Sequence, residues 1–291
     1  MGEKTKIPWC HHTFNPWWGC TKVSPGCEHC YAERLAVRYG FQLWGTDAPR
    51  RTFSEKHWRE PLKWNADAEK AGERRRVFCG SMCDLFENRA ELDGILANVL
   101  RLIHRTPQLD WLLLTKRPEL FEARMSAAAF FGGENGELAK RWAGGAAIPN
   151  VWMLTTVESQ EVAGPRIEAL LKIPAKVHGI SLEPLLGPVK LCNCHAELTP
   201  VCWHTPECPL YAGGGIVEAP RNLDWLIIGC ESGPRRRRCV ETWVRGVVFQ
   251  GHRTGLAVFV KQLEINGRVE ADPRRWPEDL RIQEFPFVTK G

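Results

Sequence analysis

Leu92-Asp93-Gly94-Ile95-Leu96-Ala97-Asn98-Val99-Leu100-Arg101-Leu102-Ile103-His104-Arg105-Thr106-Pro107-Gln108-Leu109-Asp110-Trp111-Leu112-Leu113-Leu114-Thr115 is the stretch on which the fold turns. Leu92, Ile95, Leu96, Val99, Leu100 and Ile103 fall at i, i+3, i+4, i+7, i+8 and i+11, which places one apolar stripe on one helix face. Pro107 then breaks the pattern, and residues 110–115 form a short, nearly continuous apolar run ending in a polar residue. A helix followed by a strand apolar on both faces is half of a βα repeat, because only a sheet covered on both sides buries both strand faces.

The same unit recurs along the chain. Apolar runs at 13–20, 76–81, 110–115, 150–156, 176–181, 224–229 and 256–260 give seven candidate strands. Ile167, Leu170 and Leu171 before Pro174, and Trp243, Val244, Val247 and Val248 before Gly255, repeat the helical spacing between them. The expectation is an α/β fold with a parallel sheet, open or closed into a barrel, and with its chemistry at the carboxyl ends of the strands. With 291 residues the chain suits one such domain. Two segments interrupt the alternation. The Ala- and Gly-rich stretch 127–149 reads as a loose excursion, and 190–222, with four cysteines and Gly213, Gly214 and Gly215, reads as an inserted module.

Hydrophobic residues make up 44% and charged residues 25%, which excludes disordered and fibrous classes. The net charge of +5 allows an anionic partner without establishing one. The polar opening through Lys6, with no apolar segment behind it and no run long enough to span a bilayer, predicts a cytoplasmic protein without a membrane partner. In that compartment twelve cysteines point to metal or redox chemistry rather than to disulfides. The thirteen tryptophans read chiefly as packing, with stacking under a base or adenine as the other use.

Polar residues follow each strand: Cys20; Ser81, Cys83 and Asp84; Thr115, Lys116 and Arg117; Thr156 and Glu158; Ser181 and Glu183; Glu231 and Ser232; Lys261 and Gln262. Strand ends are polar wherever they meet solvent, but a full ring of them at one mouth has the composition of an active site. The richest member is Gly19-Cys20-Thr21-Lys22-Val23-Ser24-Pro25-Gly26-Cys27-Glu28-His29-Cys30-Tyr31-Ala32-Glu33, a C-x6-C-x2-C loop directly after the first strand. Three thiolates with an open fourth position suit a 4Fe-4S cluster whose remaining iron takes an outside ligand. A zinc loop completed by His29 or Cys10 is the other reading of the same spacing.

This loop, with a His or aromatic residue before its last cysteine, resembles the cluster loop of the radical S-adenosylmethionine (radical SAM) superfamily, though its first spacing is three residues longer than that superfamily's usual C-x3-C-x2-C. Phe14-Asn15-Pro16 and the stretches 19–27, 30–34, 81–86, 114–119, 149–152, 183–188 and 231–234 closely resemble a phage-associated family of radical-SAM-like proteins. The resemblance implies a radical SAM-type partial TIM barrel of parallel strands with crossover helices. It also implies a cluster on Cys20, Cys27 and Cys30 that cleaves S-adenosylmethionine to a 5′-deoxyadenosyl radical, which takes a substrate hydrogen. His29 and Tyr31 would then lie at the cofactor, Ser81, Asp84 and Lys116 would hold its amino acid part, and Thr156, Glu158, Ser181 and Glu183 its ribose and adenine. Lys261 and Gln262 would face substrate. The implied partners are a reductase or flavodoxin-type electron donor and a DNA or modified-nucleotide substrate, the latter suggested by phage relatives implied in thymidine hypermodification through isomerisation of a glycyl-thymine type base.

The insert carries Cys192, Cys194, Cys202 and Cys208, interspersed with His195 and His204, the count of a closed four-ligand site. Zinc is expected there, with an auxiliary iron–sulfur cluster or free thiols as alternatives. Cys79 and Cys239 are expected as core thiols, and Cys83 and Cys230 as those nearest the site. The four arginines at 235–238 read as a solvated or phosphate-facing loop. Two rival functions stand beside the radical enzyme: a zinc-stabilised nucleic-acid-binding protein without catalysis, and a hydrolytic barrel using Glu158, Glu183 or Asp84.

Overall fold

Six of the seven apolar runs form a strand each, and the first is split into two short ones. The computed structural model describes residues 5–191 and 223–287, and these divide into two units. The first runs to Leu154 and takes back Ile173–Lys176; the second comprises Thr155–Lys172 and the chain from Val177 onward. Cys192, Cys194, Cys202 and Cys208, with the metal expected on them, lie outside the described residues.

In the first unit the chain forms β1 (His12–Phe14), β2 (Trp17–Trp18), α1 (Tyr31–Arg38), β3 (Arg51–Thr52), α2 (Glu55–Ala71), β4 (Arg75–Cys79), α3 (Asp93–His104), β5 (Leu109–Thr115), α4 (Phe121–Ala129), α5 (Gly133–Ala143) and the start of β6 (Ile148–Thr156). Parallel pairing of β1 with β4, His12 opposite Val77, and of β4 with β5, Arg75 opposite Leu109, puts the carboxyl ends of three strands side by side. The expected first strand is broken at Asn15-Pro16, beyond which β2 pairs antiparallel with β3. The proline supplies no amide hydrogen to a ladder, so the run cannot continue as one strand. Of the stripe that opened the sequence reading, Leu92, Leu96, Val99, Leu100 and Ile103 are buried and Ile95 is half-buried.

The 127–149 segment corrects the expectation of a loose excursion. It forms the end of α4, all of α5 and the start of β6; Trp142 is buried and donates its Nε1 hydrogen to the Pro174 carbonyl at 2.6 Å. Its small residues serve close packing rather than looseness, since a Cβ at Gly136 would lie 2.6 Å from the Ala129 carbonyl oxygen. The long helix α2 was not anticipated, because Pro61 interrupts an otherwise polar run.

The second unit contains the end of β6, α6 (Gln160–Leu171), all but the first two residues of β7 (Ala175–Leu182), β8 (Trp225–Gly229), α7 (Glu241–Thr254), β9 (Ala257–Ile265) and β10 (Arg268–Glu270). β7, β8 and β9 run parallel, Ile180 opposite Leu226 and Leu226 opposite Val258, while β10 returns antiparallel as a hairpin on β9. Every residue of β8 is buried, as a strand covered on both faces requires. The chain is thus an α/β protein with mostly parallel strands. No helix among the described residues is long and apolar enough to cross a membrane. Nine of the twelve tryptophans among the described residues are buried, in keeping with packing as their main use.

Candidate active site

The carboxyl ends of β1, β4 and β5 carry the polar groups that the sequence singled out in the first unit. After β1, the Asn15 side chain donates to Ser81 Oγ at 2.9 Å and accepts the Met82 amide at 2.7 Å, joining the ends of β1 and β4. After β4, the buried Asp84 carboxylate accepts the Thr115 hydroxyl at 2.7 Å and the Lys116 amide at 2.9 Å, joining the ends of β4 and β5. Its Oδ2 also pairs with Arg117 at 2.8 Å. Asp84 is therefore occupied in holding strand ends together, with the Lys116 backbone as one of its partners.

The cysteine loop is fastened onto these strand ends. The Arg117 guanidinium stands 3.7 and 3.8 Å from Cys20 Sγ and donates to the Thr21 carbonyl at 2.5 Å. The Tyr31 hydroxyl donates to the Ser81 carbonyl at 2.6 Å, which ties the far end of the loop to β4. Between these points Arg50 and Glu87 form an ion pair of 2.6 Å whose side chains are 1% and 3% exposed. Glu87 Oε1 accepts the Thr21 hydroxyl at 2.7 Å, so the residue after Cys20 is held from two sides. Gly19 is needed at the loop's entry: its φ of +114° belongs to glycine, and a Cβ there would sit 2.5 Å from the Leu43 carbonyl oxygen. Cys30 packs on a cluster of Trp18, Ala32, Ala36, Leu43 and Met82, so the buried face of α1 places the third thiol.

The thiols feel this environment. Burial, reinforced by Asp84 and opposed by Arg117, pushes Cys20 up to about 12; burial also raises Cys30, which Lys116 and the neighbouring backbone counter. Burial opposes the charge of Arg117, but Asp84 and Cys20 beside it hold that charge more firmly than on an ordinary arginine. Such thiols bind as thiolates when a cation compensates their charge. Cys20, Cys27 and Cys30 are all unbridged and partly buried on one loop, and in donor chemistry they fit a thiolate-held cluster. Among the described residues no three His, Cys, Asp or Glu side chains converge as a ready-made metal site. His29 is half-buried on the same loop, and Cys83 lies deep enough beside Cys79 and Cys20 for burial to raise its thiol well above the usual value.

The second unit gathers its own set at the ends of β6, β7, β8 and β9. Glu158 is fully buried and pairs with Arg166 at 2.7 Å; Arg166 also donates to the Thr156 carbonyl at 2.9 Å. Ser181 is buried in β7, its carbonyl accepting the Val157 amide at 2.9 Å. Glu183 and Lys261 form an ion pair that keeps part of each side chain exposed. Glu231 pairs with Arg237 at 2.5 Å, which assigns one of the four consecutive arginines to a neighbouring carboxylate. Gln262 donates to Ser232 Oγ at 2.9 Å and to the Cys230 carbonyl.

Arg50, Glu87 and Arg166 were not singled out from the sequence. Their positions before β3, after β4 and inside α6 carry no local signature, and only the buried ion pairs they form reveal them. Across residues 4–275 the chain matches the model of a family described as "Protein of unknown function (DUF5131)". No curated protein and no solved structure matches it.

Proposed function

The chain belongs to the DUF5131 family, and we propose that this member is a radical SAM enzyme that holds a 4Fe-4S cluster on Cys20, Cys27 and Cys30. The observation that carries the reading is Arg117, which reaches from the end of β5 to Cys20 Sγ while pairing with Asp84. A guanidinium against a cysteine sulfur favours the thiolate, and hydrogen bonds to ligand sulfurs tune the potential of an iron–sulfur centre. When bound, the cluster would supply the single electron that splits S-adenosylmethionine into methionine and a 5′-deoxyadenosyl radical.

The chain's own residues position and insulate that chemistry. The Arg50–Glu87 pair and the Tyr31 hydroxyl fix the two ends of the loop, so the three sulfurs keep their places. Ser81 and the half-buried Lys116 offer a hydroxyl and an ammonium for an amino acid carboxylate. In the second unit Glu183 and Lys261 form a partly exposed acid–base pair suited to a substrate's amine or carboxylate. The substrate we propose is a glycyl-thymine type base in DNA, isomerised by hydrogen abstraction; the likeness of the strand-end stretches to phage-associated proteins and the basic balance support it. A reductase or flavodoxin-type protein would deliver the electron.

Anaerobic purification with iron, sulfide and zinc analysis, followed by reduction with S-adenosylmethionine and a search for 5′-deoxyadenosine, tests this. About four irons per chain with deoxyadenosine formed is the expected result. Zinc alone and no cleavage would overturn the enzyme reading in favour of a zinc-stabilised binding protein.

A further inference from the structure

A cavity lies in the first unit, lined by no residue of the cysteine loop. It has a volume of about 310 Å³ and is walled by Glu55, Trp58, Arg59 and Leu62 of α2 and by Asn98, Arg101 and Leu102 of α3 with Arg105 at its C-terminal cap. Each set falls at i, i+3, i+4 and i+7, so one stripe of each helix faces the cavity. Such stripes normally meet and exclude water through apolar residues. Here each contributes one leucine, and the rest is an aromatic ring and polar or charged groups.

The charges do not cancel. Glu55, the only carboxylate on the walls, pairs with Arg59 at 2.5 Å. Arg101 donates to the neutral Asn98 side chain at 3.2 Å, and no carboxylate pairs with Arg101 or Arg105 among the described residues. Two guanidiniums one turn apart, here exposed at the C-terminal end of α3, repel each other modestly, and an anion between them relieves that repulsion. Guanidinium groups match the oxygens of a phosphate in shape and charge. Trp58 makes an edge-to-face contact with Phe14, ring centroids 5.3 Å apart, and is only half-buried, so part of its ring system lies on the cavity wall. Arginines beside an aromatic wall are the chemistry that holds a nucleotide, with the phosphate on the guanidiniums and the base against the ring.

We infer that the α2–α3 cavity binds a nucleotide unit, its phosphate on Arg101 and Arg105 and its base against Trp58. This site stands apart from the cysteine loop and needs neither a cluster nor S-adenosylmethionine. The same unit can be presented by a free nucleotide or by single-stranded DNA, and the two are told apart by measurement.

The test is fluorescence anisotropy of the full-length protein with a labelled oligothymidylate, and competition by unlabelled thymidine monophosphate. Arg101→Gln/Arg105→Gln should weaken oligonucleotide binding at least about tenfold and flatten its log–log salt dependence by about 1.4, the share of two phosphate contacts on a single strand. Lys172→Gln/Arg268→Gln removes the same charge from exposed positions of the second unit and should change affinity by less than about twofold, so general loss of positive charge is controlled. Trp58→Phe should keep binding, while Trp58→Ala should weaken it about tenfold or more; circular dichroism establishes that each variant is folded. Displacement by thymidine monophosphate, lost in the Arg101/Arg105 variant, identifies a free nucleotide as the ligand. Binding of the oligonucleotide alone identifies the polymer. Wild-type affinity in the Arg101/Arg105 variant, an equal loss in the Lys172/Arg268 variant, or binding of a phosphoserine peptide in place of both nucleotide forms would overturn the assignment.

Discussion

The two units solve the same electrostatic problem differently. At the strand ends of the first unit the buried charges are joined by long-range pairs: Arg50 meets Glu87, Arg117 meets Asp84, and Arg117 also reaches Cys20 across 97 residues of sequence. At those of the second unit the pairs are mostly local, Glu158 finding Arg166 eight residues on and Glu231 finding Arg237 six residues on, while Glu183 and Lys261, 78 residues apart, form a pair that stays partly exposed. A pair formed within one βα turn braces that turn and nothing more. A pair formed between distant segments fixes a loop against a sheet, and the loop so fixed is the one that carries three thiols. Buried ion pairs are weak contributors to net stability, because desolvation offsets most of their attraction, but they penalise any arrangement that separates them. The first unit therefore uses its buried charges to specify where the cysteine loop sits.

This contrast can be broken at several points. Cys20→Ala, Cys27→Ala and Cys30→Ala should each abolish deoxyadenosine formation with the circular dichroism spectrum kept; turnover retained in any of the three would remove the cluster from this loop. Glu87→Gln leaves the Arg50 charge buried without its carboxylate and should cost about 3–5 kcal/mol in urea unfolding. The double change Arg50→Met/Glu87→Leu should cost less than that single one, and if it costs more, the pair is a stabiliser rather than a positioning device. Arg117→Met should lower iron content or deoxyadenosine formation about 10–100-fold, as loss of a group supporting a metal ligand does. Unchanged iron loading and rate would deny Arg117 any role at Cys20. The smallest effect is expected in the second unit, where Glu183→Gln breaks a partly exposed pair and should shift stability by less than about 1 kcal/mol. A larger loss on denaturant titration would show that Glu183 and Lys261 brace the unit as the first unit's pairs do.

Some features were legible because they depend on near neighbours in sequence. The 92–103 stripe and the 110–115 run specify α3 and β5 through periodicity and an unbroken apolar stretch, and both are found within a residue or two of the expected bounds. The 127–149 stretch misled for the opposite reason. Alanine and glycine have no strong apolar pattern, and what makes α5 a packed helix is the close approach of Gly136 to Ala129 and the burial of Trp142. Neither feature can be read from spacing. Glu158 was read as a strand-end group open to a cofactor, yet its carboxylate is fully buried against Arg166, because the helix after β6 turns that arginine back toward the sheet.

By itself the sequence determined the alternation of strands and helices, the polar residues at the strand ends and the grouping of Cys20, Cys27 and Cys30, all of which follow from neighbours a few positions apart. Tertiary structure alone decided which charges neutralise which, that Arg117 and not Lys116 reaches Cys20 Sγ, and that Arg101 and Arg105 meet Trp58 across a cavity. The physical reason is range. Hydrophobic periodicity is imposed by the local geometry of helix and strand, whereas the partner of a buried charge is chosen by the fold that removes it from water.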